Sequence, residues 1–378
     1  MNTSSINQLF SQYINRFSFI NNPEHQEYYK WQVCYDFHRL MDEALTADIT
    51  SFTEKLKIVR NRTYNIIDNY TQPFAGLVKI SEKHPEEVQQ MFLDLYAPVD
   101  NIELLMKKIS NFFNKSNELL NEDFKDSYLY KQNSHSVSSY LFLYDPDNYY
   151  MYKASECTTM ADCIGFYDDW GTGDNIKLDV FYRMCDEILE EINKNDELLA
   201  TDASRYSSEL NFGNLHKDKN KHILLFDIIY CSQSYNFFDT VSFDRPTSKE
   251  KKLITEYRNK AAQLKKEYDL AKQQYVILSE ALEYFANVVK TGDIVTHKKF
   301  KQGTIKQINE QYITVLFDDT ENEKQFNLAS VISGGFIEYN VDGFKEQVEK
   351  YKNILTKHQS IPNSLGYEQG CFVCLYRQ

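Results

Sequence analysis

The chain has 378 residues and a formal net charge of −13, with 42% hydrophobic and 26% charged residues. That length is too great for one small module and indicates two or three domains. Its 28 Tyr and 25 Phe can bury a large core, which excludes a wholly disordered chain, while 12 Gly and 7 Pro are too few for an all-β sandwich rich in tight turns.

Residues 1–130 read as a helical domain. From Tyr29 to Leu45, the residues Trp31, Cys34, Phe37, His38 and Met41 fall at spacings of three and four, one face of a helix. Phe52, Leu56, Val59, Tyr64 and Ile67 repeat the pattern. Pro73 and Gly76 are expected to break the chain. Pro85, Glu86 and Glu87 suit the first turn of a helix whose core face is Val88, Met91, Phe92 and Leu95. Asp100 is the expected N-cap of a helix from Ile102 to Leu120.

Residues 131–246 read as an α+β domain. Val137–Tyr144 fits helix or strand, and Asp145-Pro146-Asp147-Asn148 signals a turn. Asp168–Asn175 is a polar loop, and Asp179–Asn193 a helix. His222–Cys231 (HILLFDIIYC) reads as a short buried strand.

From Thr247 to Thr291 there is no Gly or Pro. Tyr257, Ala261, Leu264, Tyr268, Ala271, Tyr275, Leu278, Leu282 and Phe285 step by four and three, the seam of one long helix of roughly 60 Å. Such a seam needs a partner. Residues 341–358, with Phe344, Val348, Tyr351 and Leu355, offer one, so 247–290 and 341–358 are expected as a helical stalk. Between them, 291–340 reads as a small five-strand β-barrel, with strands near 293–297, 303–309, 312–317 and 324–327. Residues 359–378 form a tail. The fold class expected is α+β, predominantly helical.

No run approaches the roughly 18–20 apolar residues of a membrane span, so no membrane association is expected. The N-terminus lacks a basic segment followed by an apolar one, and no secretory signal is expected. Seven Cys without framework spacing suit a reducing compartment, and the expected location is cytoplasmic. The sequence lacks a G-x-x-x-x-G-K-[ST] phosphate loop, G-x-G-x-x-G, G-x-S-x-G and H-E-x-x-H, which argues against nucleotide hydrolysis and against an ordinary dinucleotide enzyme. Cys371 and Cys374 are a lone pair where zinc wants four ligands, and Cys157 and Cys163 fit no common metal spacing. No cofactor, metal or catalytic residue is therefore assigned, and the chain reads as a non-enzyme. His38, His135 and His297 each stand alone and read as structural imidazoles.

An acidic chain is not drawn to phosphate backbones as a whole, so nucleic-acid binding must be local. Between Lys249 and Lys272 there are eight Lys or Arg against four acids, which a solvated helix exterior explains. A second basic cluster, His297, Lys298, Lys299 and Lys301, lies beside the rings of Phe300 and Tyr312. Strand alternation is expected to put His297, Lys299 and Lys301 on or near the exposed face. These residues are the candidate binding site, for weak, salt-sensitive nucleic-acid binding or for a partner protein.

Two resemblances add to this reading. Trp31–Tyr96, continuing through Ser138–Leu141 and Tyr149–Lys153 to Tyr182–Leu199, resembles the region that precedes the motor domain in McrB-type restriction ATPases and related bacterial AAA+ defence proteins, over about residues 25–235. No Walker motif follows, so hydrolysis is not implied. Gly292–Ile305 with Ile313–Phe317 and Lys324–Phe326 looks like a CarD-type or Tudor-like small barrel, with Lys301 where the first Gly of V-x-H-x-x-F-G-x-G-x-I usually stands. Together they imply a non-catalytic binding or adaptor component of bacterial restriction-like, anti-phage defence, acting with a separate effector protein. One rival is a divergent metal-dependent nuclease using some of Asp145, Asp147, Asp168, Asp169 and Asp227. The other is a structural scaffold that dimerises through the long helix.

Overall fold

A computed structural model of the chain describes residues 1–67, 71–124, 129–172, 175–207, 209–309, 311–319, 322–339 and 344–359. The tail with Cys371 and Cys374, and the side chains of Leu278 and Leu355, lie outside the described residues. The fold is α+β and predominantly helical. It divides into two compact units, Met1–Glu256 and Tyr257 onward. No described helix is long and apolar enough to cross a membrane.

The first unit contains α1 (Thr3–Asn15), α2 (Phe17–Ile20), α3 (Tyr29–Leu45), α4 (Ile49–Ile67), α5 (Pro73–Ser81), α6 (Pro85–Tyr96), α7 (Ile102–Asp123), α8 (Ser134–Tyr144), α9 (Ala154–Ile164), α10 (Leu178–Asn193), α11 (Asp196–Ser204) and α12 (His222–Ser234). The helix-period patterns explain most of these. The four expected core residues of α6, Val88, Met91, Phe92 and Leu95, are all buried. Residues from both stretches, 1–130 and 131–246, line one hydrophobic core. Tyr140 of α8, for example, meets Phe74 of α5 edge-on, with ring centroids 5.3 Å apart. Cys34, Cys157, Cys163, Cys185 and Cys231 are free thiols buried in that core. Burial pushes the Cys157 and Cys163 thiols up to about 12.

Several expectations are corrected. His222–Cys231 is not a strand but most of α12, and no strand lies among the described residues of the first unit. A helix buried on every side carries no polar stripe, so its apolar run imitates a core strand. The 131–246 stretch is accordingly helical rather than α+β. Pro73 does not break the chain but opens α5, where its missing N–H costs nothing. Gly76 sits inside α5 because a Cβ there would lie 2.5 Å from the Tyr130 carbonyl oxygen. The N-cap of α7 is Asn101 rather than Asp100, its side chain accepting from the Leu104 amide at 2.9 Å.

α13 (Ser248–Val288) carries the chain from the first unit into the second. In the second unit its Tyr257, Tyr268 and Tyr275 are exposed, while Ala281, Phe285 and Val289 are buried. Five antiparallel strands follow: β1 (Ile294–His297), β2 (Lys301–Ile308), β3 (Tyr312–Phe317), β4 (Glu323–Asn327) and, after the short α14 (Leu328–Ser333), β5 (Ile337–Glu338). The order is β4-β3-β2-β1-β5, so β4 and β5 are edges. Val295, Ile305, Ile313, Val315 and Phe317 form the inner face, as alternation requires. α15 (Phe344–Gln359) closes this core, with the Phe344 ring 5.4 Å from Phe285.

Candidate functional site

The basic cluster occupies the turn between β1 and β2. His297 and Lys301 are paired across the hairpin, leaving Lys298, Lys299 and Phe300 as the turn itself. Lys301 has φ of +60°, the left-handed region where glycine is favoured. That is the backbone reason a glycine suits this position. At Gly303, a Cβ would lie 2.7 Å from the Leu316 carbonyl oxygen of β3.

His297 is not on the exposed face. It shares the inner face with Val295, two residues earlier, and is 7% exposed. Its Nδ1 accepts from the Lys299 amide at 3.0 Å and the Phe300 amide at 3.3 Å. Its ring stacks on Phe326 at 5.0 Å. Burial lowers its basicity, and neighbouring Lys299 lowers it further, which keeps the ring neutral and able to accept. His297 therefore shapes the turn rather than contacting a partner.

Tyr312 is also corrected. It is exposed, but it begins β3, and the β2–β3 register sets Ile313 against Ile308 and Phe317 against Gly303. Tyr312 therefore lies at the far end of the sheet from the basic turn, roughly 23 Å along the strands.

What the structure does assemble at the turn includes two residues absent from the sequence-based set. Lys299 and Lys324 hold their ammonium groups 5.5 and 4.7 Å from the Phe300 ring centroid. Lys298 lies 5.9 Å from the Phe336 centroid, and its amide donates to the Phe336 carbonyl at 3.0 Å. Phe336 is 46% exposed. Lys301 instead pairs with Asp319 at 3.3 Å, an exposed contact of little energetic weight. Among the described residues, no carboxylate pairs with Lys298, Lys299 or Lys324. The site is thus three cations around two rings. Phe336 lies outside the alternating strands, so nothing in the local pattern signals it, whereas Lys324 was visible as a basic residue on β4.

The nuclease carboxylates are not brought together. Asp168 pairs with Arg183 and accepts from Thr255 Oγ1 at 3.1 Å. Asp169 lies 3.6 Å from Lys177 Nζ. Asp145 accepts from the Asn148 side chain at 2.7 Å, and Asp147 from the Asn220 amide at 3.3 Å.

Asp227 is fully buried in α12, where Lys30 Nζ donates to it and Tyr13 donates at 2.5 Å. The same Lys30 ammonium donates to Glu27 at 2.6 Å. Glu27, Asp227 and Cys231 are the one group of three potential metal ligands among the described residues, and Lys30 already balances its two carboxylates. The network continues through Arg205, which donates to Tyr13 at 2.9 Å and Asn21 at 2.8 Å and stacks 3.6 Å over Trp31. Every charged group here has a partner, as burial demands, although the buried Trp31 indole N–H does not, and the cluster reads as architecture.

No family model, curated protein or solved structure matches the chain.

Proposed function

We propose that the protein is a non-catalytic binding protein that engages single-stranded nucleic acid through the β1–β2 turn and the neighbouring Phe336. The supporting observation is the set of three lysines without carboxylate partners among the described residues, Lys298, Lys299 and Lys324, placed over Phe300 and beside an exposed Phe336. Cations hold a phosphate backbone and an open ring stacks a base. The formal net charge of −13 opposes approach at long range, so binding is weak and falls steeply with salt. In the wider reading, the chain is the recognising component of a restriction-like defence system whose effector is another protein. That role rests on the resemblance of residues 25–235.

The test is fluorescence anisotropy with labelled oligo-thymidine at two salt concentrations, using the wild type and a Lys298→Glu/Lys299→Glu variant. Wild-type binding that weakens with salt and disappears in the variant supports the reading. Equal binding by both proteins, or none by the wild type at low salt, sinks it.

A further inference from the structure

We propose that the stretch of α13 from Tyr257 to Tyr275, in the second unit, is a docking surface for an acidic amphipathic helix of another protein. The seam of α13 repeats every seven residues and places Tyr257, Leu264, Ala271 and Tyr275 at its core positions. α15, the partner that the pattern offers, covers only the far end of this seam, where its Phe344 and Tyr351 rings meet Phe285. Tyr257 and Tyr275 are 66% and 63% exposed. The stretch they bound is about 27 Å long at 1.5 Å per residue, long enough to seat several turns of a second helix. Apolar side chains at a helical repeat on an open face mark an interaction surface.

The charges beside the seam give the sign of the partner. Lys251, Arg258, Lys265 and Lys272 recur at seven-residue intervals, so they form one row along the same flank, and no acid interrupts it. The first of them shows what the row accepts. Within the first unit, Lys251 pairs with Asp162 of α9 at 2.5 Å, a cation of this row meeting an acid on another helix. Lys265 and Lys272 are exposed, and among the described residues no carboxylate pairs with either. The opposite flank is mixed, with Lys260 and Glu267. A second copy of the chain fits this surface poorly. Antiparallel copies would set the cationic row against itself. Parallel copies in register would face Lys260 with Lys265, and would put Ala271 on Ala271 and Tyr275 on Tyr275, one layer underfilled and the next crowded. A helix with an apolar seam and a flanking row of Glu or Asp satisfies both the open tyrosines and the cations.

The experiment is isothermal titration of the full chain with a designed helical peptide that carries Leu at its seam positions and Glu on both flanks. One control peptide has Lys on the flanks, and a second is a scrambled Glu peptide of equal charge without a seam. We expect the Glu peptide to bind, the Lys peptide not to bind, and the scrambled peptide to bind at least about tenfold more weakly. Lys265→Glu/Lys272→Glu changes two exposed side chains; it should weaken the Glu peptide by about tenfold or more and admit the Lys peptide. Lys298→Glu/Lys299→Glu should change neither, which separates this surface from the β1–β2 turn. No binding of the Glu peptide, equal binding of the scrambled one, or unchanged affinity in Lys265→Glu/Lys272→Glu would overturn the proposal. Self-association of the free chain that excludes the peptide would overturn it in favour of a second copy. Oligo-thymidine binding that is lost in Lys265→Glu/Lys272→Glu would overturn it in favour of nucleic acid.

Discussion

Lys30 and Lys298 carry the same ammonium group to opposite ends. Lys30 is fully buried, donating to Glu27 and Asp227, with the Tyr230 ring centroid 4.0 Å away. Lys298 stands in an exposed turn with a ring beside it and no carboxylate partner among the described residues. The interior lysine is bound by what its own chain supplies, and burial makes each of those partners obligatory. The turn lysine leaves its charge unspent. A folded chain gains little from such an arrangement.

The contrast can be broken at either end. The largest effect is expected from Lys30→Met, which leaves two buried carboxylates without their cation. We expect a loss of about 3–5 kcal/mol, read from urea unfolding midpoints. A change below about 1 kcal/mol would show that the network is not closed as described.

The next effect is on pH dependence. Burial lowers His135 from its ordinary value to about 4. Between about pH 6.5 and 4 the unfolded chain takes up a proton there that the folded chain refuses. Stability contributed by neutral His135 is therefore complete above pH 6.5 and falls as pH drops, by up to about 3 kcal/mol. Asp218, raised by burial to about 7, acts in the opposite direction, gaining stability as pH falls from 7 toward the ordinary carboxylate range. Subtracting the profile of a His135→Gln variant isolates the first contribution. Parallel profiles for the two proteins would refute it.

A smaller gain is expected from Lys301→Gly. Glycine relieves the left-handed strain, and the exposed contact to Asp319 contributes little, so the net gain is on the order of 0.5–1 kcal/mol. Thermal unfolding checks the sign. The smallest effect belongs to Lys298→Glu/Lys299→Glu, whose folded stability should stay within about 0.5 kcal/mol of the wild type even as binding is lost. A large drop in melting temperature would place these lysines in the fold and erase the contrast with Lys30.

Much of the fold is written locally. Spacings of three and four reveal α3, α4, α6 and α10, because each shows one apolar face to a core, whereas the α13 seam expected to meet a partner helix is exposed at Tyr257, Tyr268 and Tyr275 and buried only from Ala281 on. Alternation likewise gives the inner face of the sheet, with Val295 and Ile313 as core. The failures share a cause. α12 is buried all round, so its pattern has no period to detect. Lys30 and Asp227 meet across 197 positions, and nothing local in either residue announces the other. His297 sits in a basic run along the sequence, yet the strand's two-residue repeat turns it inward beside Val295. Tyr312 is near Phe300 in sequence terms, but the length of β2 carries it to the opposite end of the sheet. Proximity along the chain and proximity in space diverge wherever a strand or helix intervenes.

The five core cysteines bear on how this protein can be watched. A buried thiol whose ionisation is suppressed is inert to alkylating reagents until the structure around it opens. Cys34 lies in α3, Cys157 and Cys163 in α9, Cys185 in α10 and Cys231 in α12, so each helix carries its own silent reporter. Their relative rates of modification would act as separate clocks for the breathing of four helices. Equal rates would mean that the first unit opens as one piece, and unequal rates would rank its helices by how often each lets go.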